Sequence, residues 1–318
     1  MQKKFKLLED ELGKRIIGQP QLVQRLLVTL LADGHLLVEG APGLAKTRAV
    51  KTLSSMLDAT FQRIQFTPDL LPSDITGSEI FRPESGQFEF LPGPVFNQLV
   101  LADEINRAPA KVQSALLEAM AERQVSVGGQ TYKLPPLFMV MATRNPIEQE
   151  GTYRMPEAQL DRFLIQLNIA YPDARSENAI LELSRAETAD PLRDAITPLI
   201  SEEEIQTARS AVMKIHMSTP LQEYLVQLVQ STRQPQGYIR ELNNTIAHGA
   251  SPRATIALDR CARARAWLSG RDYATPDDVQ AYAHDCLRHR LVLSFAAESR
   301  GIEPDAVIDQ LLDQVPVG

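Results

Sequence analysis

Residues 35–47, which read HLLVEGAPGLAKT, constrain the fold of this chain more than any other stretch. A short apolar run turns at Gly40 and ends in Lys46 and Thr47, and apolar residues then recur at helical spacing. A strand, a glycine-containing loop and a helix in this order are the setting that a phosphate-binding loop requires. The N–H groups of such a loop and the dipole of the following helix both attract phosphate. The stretch therefore predicts an α/β nucleotide-binding domain.

This loop supplies most of the predicted nucleotide contacts. Lys46 is expected to reach the terminal phosphates of ATP, and the Thr47 hydroxyl is expected to bind Mg²⁺. The general motif G-x-x-x-x-G-K-[ST] has a second glycine where this chain has Ala45, which we expect to open the helix with a right-handed backbone that suits alanine. The simpler alternative is a glycine-rich turn with a solvated lysine. The eight loop residues are Gly40, Ala41, Pro42, Gly43, Leu44, Ala45, Lys46 and Thr47.

Composition limits the class of protein. The chain has 318 residues, enough for two domains, and its 44% hydrophobic and 23% charged residues are ordinary for a soluble globular protein. A net charge of −7 argues against a broad surface for duplex nucleic acid. The sequence has no signal-peptide pattern and no apolar run long enough to span a bilayer, and its two cysteines imply no disulfide framework. We therefore expect a cytoplasmic protein without direct membrane insertion.

An acidic pair follows the second apolar run, residues 99–102. A buried parallel strand delivers the residues at its carboxyl end to the crevice where ligands of open α/β sheets bind. Asp103 is therefore placed to hold Mg²⁺ through its water shell, and Glu104 to polarise the attacking water. Alone, such a pair could be a helix cap. Together with a phosphate loop it completes the requirements of an NTPase.

Three further polar residues are candidates for the same chemistry. Asn145 follows the third apolar run and could orient water or the γ-phosphate, although Asn145-Pro146 is also a common turn. Arg162, at the start of the next predicted strand, could pair with Asp161 or point to a neighbour's nucleotide. Arg253 opens a predicted helix, where a cation opposes the helix dipole, so it is expected to serve an anion elsewhere. The alternative for Arg253 is an exposed side chain whose stem packs on the surface.

The rest of the chain divides into two predicted parts. Ile17 and Gly18 interrupt two N-terminal helices and could close over an adenine ring, although a helix–turn–helix join explains the break equally well. Residues 67–97 are rich in proline, glycine and aromatics and predict a long irregular segment, either functional or merely covering, and residues 125–134 predict a hairpin. Beyond residue 175 the pattern is helical throughout and predicts no strand. A metal site at residues 284–289 is disfavoured because its histidines and cysteine do not share a helix face.

The ordered motifs GAPGLAKT, LVLADEINRA, ATRNP, EAQLDRF and GASPRA closely resemble those of the MoxR family of bacterial and archaeal AAA+ ATPases, across nearly the whole chain. Ala45 matches the family's usual loop, whereas Arg144 and Arg154 depart from its common residues. The resemblance implies roles for the matching positions: Walker A for residues 40–47, Walker B for Asp103 and Glu104, sensor 1 for Asn145, the arginine finger for Arg162 and sensor 2 for Arg253.

The resemblance also implies a fold: an αβα ATPase domain over residues 1–172, with parallel strand order 5-1-4-3-2, and an all-α helical lid over residues 173–318. Residues 76–93 would be the family's insertion in helix 2, and residues 125–134 its hairpin before sensor 1. Rings of six are usual, with ATP and Mg²⁺ as cofactors. Such ATPases remodel or load metal into client proteins, often ones with a von Willebrand factor A domain, which here would be a separate protein.

Two alternatives to a chaperone-like ATPase remain open. A helicase-type nucleic-acid motor, which would share the insertion, predicts basic pore loops. Residues 76–93 carry one arginine against three glutamates, and the hairpin carries only Lys133, so we expect no nucleic-acid partner. A nucleotide-switched scaffold would bind ATP without useful turnover, but every predicted catalytic residue is present. ATP hydrolysis therefore stays the leading hypothesis.

Overall fold

The computed structural model describes residues 1–146, 151–189, 196–239, 242 and 244–317. Its helices are α1 Gln2–Arg15, α2 Pro20–Leu31, α3 Lys46–Met56, α4 Pro72–Thr76, α5 Ala110–Glu122, α6 Glu157–Leu160, α7 Ala174–Ala189, α8 Glu202–Val212, α9 Thr219–Ser231, α10 Pro252–Leu268, α11 Pro276–Leu287, α12 Phe295–Glu298 and α13 Pro304–Gln314. Its strands are β1 Leu36–Glu39, β2 Phe61–Gln65, β3 Gly77–Arg82, β4 Gln87–Pro92, β5 Leu99–Asp103, β6 Gln124–Val127, β7 Gln130–Lys133, β8 Met139–Arg144, β9 Ile165–Asn168, β10 Ile246–His248 and β11 Val292–Leu293.

Five parallel strands form the central sheet, in the order β2-β5-β8-β1-β9. Counting only these five in chain order, and starting from the β9 edge, this is 5-1-4-3-2, as predicted. The strands in the middle of the sheet are fully buried apolar runs, which is why their sequences predict them well. The αβα class is confirmed.

Two hydrophobic clusters cover the two faces of this sheet. One face packs against α5 through a cluster that includes Phe66, Leu116 and Phe138. The other face packs against α1, α2 and α3, and its cluster continues without a break into the C-terminal helices. Phe5 of α1 meets Trp267 of α10 edge to face, with ring centroids 5.2 Å apart. The N-terminal helices therefore connect the sheet to the C-terminal helices, and the expected boundary near residue 172 stays a prediction.

Two expectations about regular structure were wrong. Residues 67–97 are not irregular throughout, because β3 and β4 form an antiparallel hairpin in full register from Gly77 to Arg82. Their alternation of aromatic and charged residues satisfies a two-stranded ribbon, which the prolines and glycines at its ends concealed. The C-terminal part is not purely helical either, since β10 and β11 pair as a short antiparallel ribbon. These strands have three and two residues, too few to give a sequence pattern.

The hairpin predicted for residues 125–134 is confirmed: β6 and β7 pair antiparallel around a Gly128-Gly129 turn with positive φ at both glycines. In the part of the chain that the structure describes, no helix combines the length and the apolar character that crossing a membrane requires.

Candidate functional site

The sheet order brings three of the predicted motifs to one edge. β1, β8 and β5 are neighbours and parallel, so the residues that follow them, Gly40, Asn145 and Glu104, lie side by side at their carboxyl ends. The backbone N–H of Gly40 donates to the carbonyl of Arg144, directly before Asn145. Asn145 itself is buried. The phosphate loop, the acidic pair and the amide therefore form one crevice.

The helix after the phosphate loop begins one residue later than expected. Lys46 is the first residue of α3, and its Nζ donates to the Gly40 carbonyl at 2.6 Å. Ala45 is the last loop residue, with φ 57° and ψ 16°, a left-handed conformation. The expectation of a right-handed backbone at Ala45 was therefore wrong, because it placed this residue inside the helix. A left-handed alanine costs conformational energy that glycine would avoid.

Thr143 organises the acidic pair. Its hydroxyl donates to Asp103 Oδ1 at 2.6 Å and accepts from the Glu104 N–H at 2.9 Å. Glu104, like Ala45, has a left-handed backbone, with φ 57° and ψ 49°. Strained backbone at a non-glycine residue is common where a side chain must be aimed for function. Thr143 therefore fixes the Asp103 carboxylate and the backbone of Glu104.

Four residues of this crevice were missed by sequence reasoning: Thr143, Arg107 and, on the edge strand β2, Arg63 and Gln65. Arg63 donates to Asp103 Oδ2, from Nη2 at 2.7 Å and from Nε at 3.0 Å. Gln65 donates to Glu104 Oε2 at 2.9 Å, and Arg107 donates to the same oxygen at 3.1 Å. The signal that could have revealed the pair is their i, i+2 spacing on a strand next to β5.

The two predicted arginines lie at the opposite end of the sheet. The Leu164 N–H donates to the carbonyl of His35, which precedes β1, so Arg162 belongs to the amino end of the strands. Arg253 lies 3.7 Å from Asp161 at the same end. Five residues of extended chain separate His35 from Gly40, a distance of roughly 16 Å. Neither arginine joins the crevice of its own chain.

A cleft of about 360 Å³ contains both arginines, and its wall includes Arg123 and Arg260. Arg162 is half-buried, and its Nε has no hydrogen-bond partner. Arg253 is exposed, at 53% of its side chain. The cleft is therefore rich in cations, with Asp161 and Asp33 as their carboxylate partners.

His35 forms the floor of this cleft and is neutral. Burial, and after it the nearby charge of Arg123, lower its pKa to about 4. Its Nδ1 accepts from the Val140 N–H at 3.0 Å, and its Nε2 lies 3.3 Å from the Met120 carbonyl. These contacts fix the tautomer with the proton on Nε2 and hold the ends of α5 and β8 beside the cleft.

Gly18, which follows Ile17, lies against the start of α7. Gly18 has φ +78°, and a Cβ there would meet Pro172 at 2.8 Å, so glycine is required by both the backbone and the packing. Farther along α7, Glu187 pairs with Arg48 in the first turn of α3. The break between α1 and α2 thus lies beside α7, which itself reaches the helix of the phosphate loop.

The two departures from the family's common residues form local ion pairs. Arg144 Nη2 lies 2.8 Å from Glu39 Oε2, just before the phosphate loop, and Arg154 pairs with Glu157 at 3.2 Å. Within the described ranges, no group of three or more His, Cys, Asp or Glu side chains could hold a metal ion. His284, in the segment where a metal site was disfavoured, pairs with Asp309 at 2.8 Å.

The insertion hairpin, formed by β3 and β4, exposes two of its three phenylalanines to solvent. Phe81 and Phe88 are 53% and 70% exposed and touch each other across the strands. Phe90 differs, since it stacks on Tyr132 of the second hairpin, with centroids 3.9 Å apart, and meets Phe96 edge to face. Phe90 is therefore not an exposed side chain like Phe81 and Phe88, and it joins the two hairpins.

Comparisons with known proteins agree with this architecture. The model of the ATPase family associated with various cellular activities (AAA) matches residues 35–165, and that of the AAA lid domain matches residues 241–311. A solved structure of a candidate ATPase from Cytophaga hutchinsonii superimposes with a TM-score of 0.92 at 44% identity, covering 100% of this chain and 96% of that one.

Curated relatives match over almost the full length. Chaperone MoxR1 of Mycobacterium tuberculosis is 45% identical over 311 residues, covering 96% of this chain and 80% of that protein. Uncharacterized protein YeaC of Bacillus subtilis is 42% identical, covering 97% of this chain and 93% of that protein. Protein MoxR of Methylorubrum extorquens is 32% identical with the same coverage of 97% and 93%. The chain therefore belongs to the MoxR family of AAA+ ATPases.

Proposed function

We propose that this protein binds ATP at the crevice of its central sheet and hydrolyses it to ADP and phosphate. One observation carries the proposal: the phosphate loop, the acidic pair and Asn145 meet at the carboxyl ends of three adjacent strands. Lys46 would bind the terminal phosphates as a point charge. Glu104 would polarise the attacking water, and Asn145 would orient that water or the γ-phosphate. Ile17 and Gly18 would border the adenine.

The donors at the crevice fit a magnesium ion. Thr47 and Asp103 offer a hydroxyl and a carboxylate, the oxygen ligands that Mg²⁺ prefers. Asp103 also already faces a cation, because Arg63 donates to it from two nitrogens. Bound Mg²⁺ would neutralise the charge that develops on the phosphates during hydrolysis. The chain's own part is to fix the carboxylate, which Thr143 does from the neighbouring strand.

A second copy of the chain would complete the site. Arg162 and Arg253 lie at the amino end of the sheet, roughly 16 Å from the phosphate loop of their own chain by strand length. Arginines that stabilise phosphoryl transfer must touch the phosphates. The two arginines would therefore act on the nucleotide of a neighbouring subunit, Arg162 as finger and Arg253 as sensor, in a closed ring of six, the size usual for such ATPases.

We further propose that ATP turnover drives the remodelling or metal loading of a client protein in the cytoplasm. A relative with 45% identity is named a chaperone, and the exposed pair Phe81–Phe88 offers an apolar contact for a protein client. A separate protein with a von Willebrand factor A domain is the partner that the family resemblance suggests. The hairpin surfaces carry more glutamates than cations, which favours a protein client over nucleic acid.

Phosphate release with Mg²⁺-ATP, measured beside ATP binding by calorimetry, tests the proposal. Lys46→Ala should abolish or severely weaken ATP binding, because the phosphate charge stays uncompensated in a partly desolvated site. Lys51→Ala is the matched control, since Lys51 is exposed on the same helix. Wild-type affinity in Lys46→Ala, or phosphate release equal to the buffer rate in the wild type, would overturn the proposal.

A further inference from the structure

Both oxygens of the Asp103 carboxylate already accept hydrogen bonds. Thr143 occupies Oδ1 at 2.6 Å, and Arg63 places two nitrogens on Oδ2, at 2.7 Å and 3.0 Å. A carboxylate oxygen has two acceptor positions, so Arg63 fills both positions of Oδ2, and Thr143 leaves one position on Oδ1. The water shell of a magnesium ion needs acceptor positions of the same kind. Arg63 and a hydrated Mg²⁺ therefore compete for the acceptor positions and the charge of this carboxylate.

The two partners differ in their freedom to move. The Asp103 side chain is only 12% exposed and is held by Thr143, whereas Arg63 is 49% exposed on the edge strand β2. A half-exposed arginine loses little when its ion pair opens, because water solvates the freed guanidinium. Movement of Arg63 is thus the easier way to make room for a second cation at Asp103.

We propose that Arg63 is a positioning residue that acts as the resident counter-ion of Asp103 and leaves this carboxylate when Mg²⁺ arrives with ATP. The inference rests on the proposed role of Asp103 toward magnesium. Before Mg²⁺ arrives, the guanidinium neutralises a carboxylate that would otherwise repel the phosphates. Afterwards the same guanidinium would repel the ion, so it must give way. Arg63 therefore lowers the difference in affinity between Mg²⁺-ATP and free ATP.

The test uses the dissociation constant of a non-hydrolysable ATP analogue, measured by calorimetry once with Mg²⁺ and once with EDTA. The ratio of the EDTA value to the Mg²⁺ value reports how strongly magnesium supports binding. Arg63→Gln should raise this ratio by about threefold to fivefold, the range expected for a half-exposed ion pair. With Mg²⁺ the analogue should bind Arg63→Gln more tightly than it binds the wild type. With EDTA it should bind Arg63→Gln as tightly as the wild type or more weakly. Arg63→Lys keeps the charge but not the fork, and should give an intermediate ratio.

Arg82→Gln is the matched control, because Arg82 forms a similar exposed pair with Glu89 at 2.7 Å on the hairpin. Its ratio should equal that of the wild type. A ratio for Arg63→Gln that is unchanged or lower would overturn the inference. Asp103→Asn separates this failure from that of the proposed function: it should lower the ratio, and an unchanged ratio would remove Asp103 as a magnesium ligand altogether.

Discussion

The Ser251 hydroxyl donates a hydrogen bond of 2.8 Å to the carboxylate of Asp161. Ser251 caps the helix that Arg253 opens, and Asp161 is the residue directly before Arg162. Arg290, which is almost fully buried, holds the other oxygen of Asp161 at 2.7 Å. One carboxylate thus fastens both proposed trans-acting arginines to a single contact between the sheet and the C-terminal helices. The two arginines are expected to move as one body.

Arg162→Ala should keep ATP binding and lose nearly all turnover, about a thousandfold or more, because the arginine stabilises charge at a neighbour's nucleotide. Mixing sharpens the prediction. Arg162→Ala and Glu104→Gln subunits are each inactive, but in a mixed ring some interfaces pair an intact Glu104 with an intact Arg162. Phosphate release should therefore return on mixing, as measured across a series of ratios in rings verified by native mass spectrometry.

The control for mixing is a double variant that carries both substitutions in one subunit, which should never restore activity when mixed with either single variant. Mixed rings that stay inactive at every ratio would contradict a site shared between subunits. Full activity in a strictly monomeric wild-type preparation would contradict it as well.

Glu104→Gln should bind ATP normally and hydrolyse it about a hundredfold more slowly, because the amide keeps the shape but cannot polarise water. The amide oxygen can still accept from Gln65, so the local structure should persist. Single-turnover phosphate release measures the effect. Glu118→Gln, an exposed change on α5, is the matched control and should leave the rate unchanged. Turnover within a few-fold of wild type would exclude Glu104 as the base.

Local sequence patterns predicted those elements that depend only on residues close together in the chain. The apolar runs of β5 and β8 have enough length to show burial, and the glycine loop before α3 has a recognisable motif. Strand order, given by the family resemblance, then placed Asp103, Asn145 and the phosphate loop together. For those residues the prediction needed no contact between distant side chains.

What sequence could not provide depended on neighbours across the sheet or on local backbone geometry. Arg63 is unremarkable on an exposed strand until β2 is known to lie beside β5. The left-handed backbones at Ala45 and Glu104 cannot be predicted from a glycine, because neither position has one. Phe90 alternates with polar residues just as Phe88 does, and only the second hairpin distinguishes them. Tertiary contact decided each of these cases.

Substitutions in the insertion hairpin should distinguish an effect on folding from an effect on client contact. Phe88→Ala should change the free energy of unfolding by less than about 0.5 kcal/mol, because the ring is exposed, yet weaken client handling. Phe90→Ala should lower the free energy of unfolding by about 2 kcal/mol, because the ring of Phe90 stacks on Tyr132 and packs on Phe96. Denaturant unfolding measures the free energy of unfolding of both variants. Suppression of aggregation of an unfolded model protein measures client handling.

Phe295→Ala is the matched control for Phe88→Ala, because Phe295 is 85% exposed and lies on α12, outside both hairpins. It should affect neither stability nor client handling. Equal loss of client handling in both variants would show a general effect of apolar surface, not a role of the hairpin.

Stability should fall as the pH falls from about 6.5 to about 4. In this window the unfolded chain binds a proton at His35 that the folded chain, with its pKa lowered to about 4 by burial and by Arg123, does not bind. The unfolded state therefore gains protons and stability rises with pH, by about 3 kcal/mol across the window for this group. Unfolding midpoints at pH 7.5, 6 and 5 measure the slope.

His35→Gln should flatten this slope in part, since His289, whose pKa is also lowered by burial, contributes in the same direction. His216→Gln, a change at an exposed position, is the matched control. The same slope in His35→Gln as in the wild type would contradict a neutral buried imidazole.

The unbroken hydrophobic cluster has a practical consequence for truncation. Leu12 of α1, Leu26 of α2 and Leu258 of α10 belong to it together, and all three are fully buried. A shortened gene product that ends after residue 172 would leave the inner faces of the N-terminal helices facing water. Such a fragment is expected to precipitate on expression. A loss of turnover after removal of the lid could therefore result from insolubility alone. Substitutions such as Arg253→Ala are the better probe of what the lid contributes.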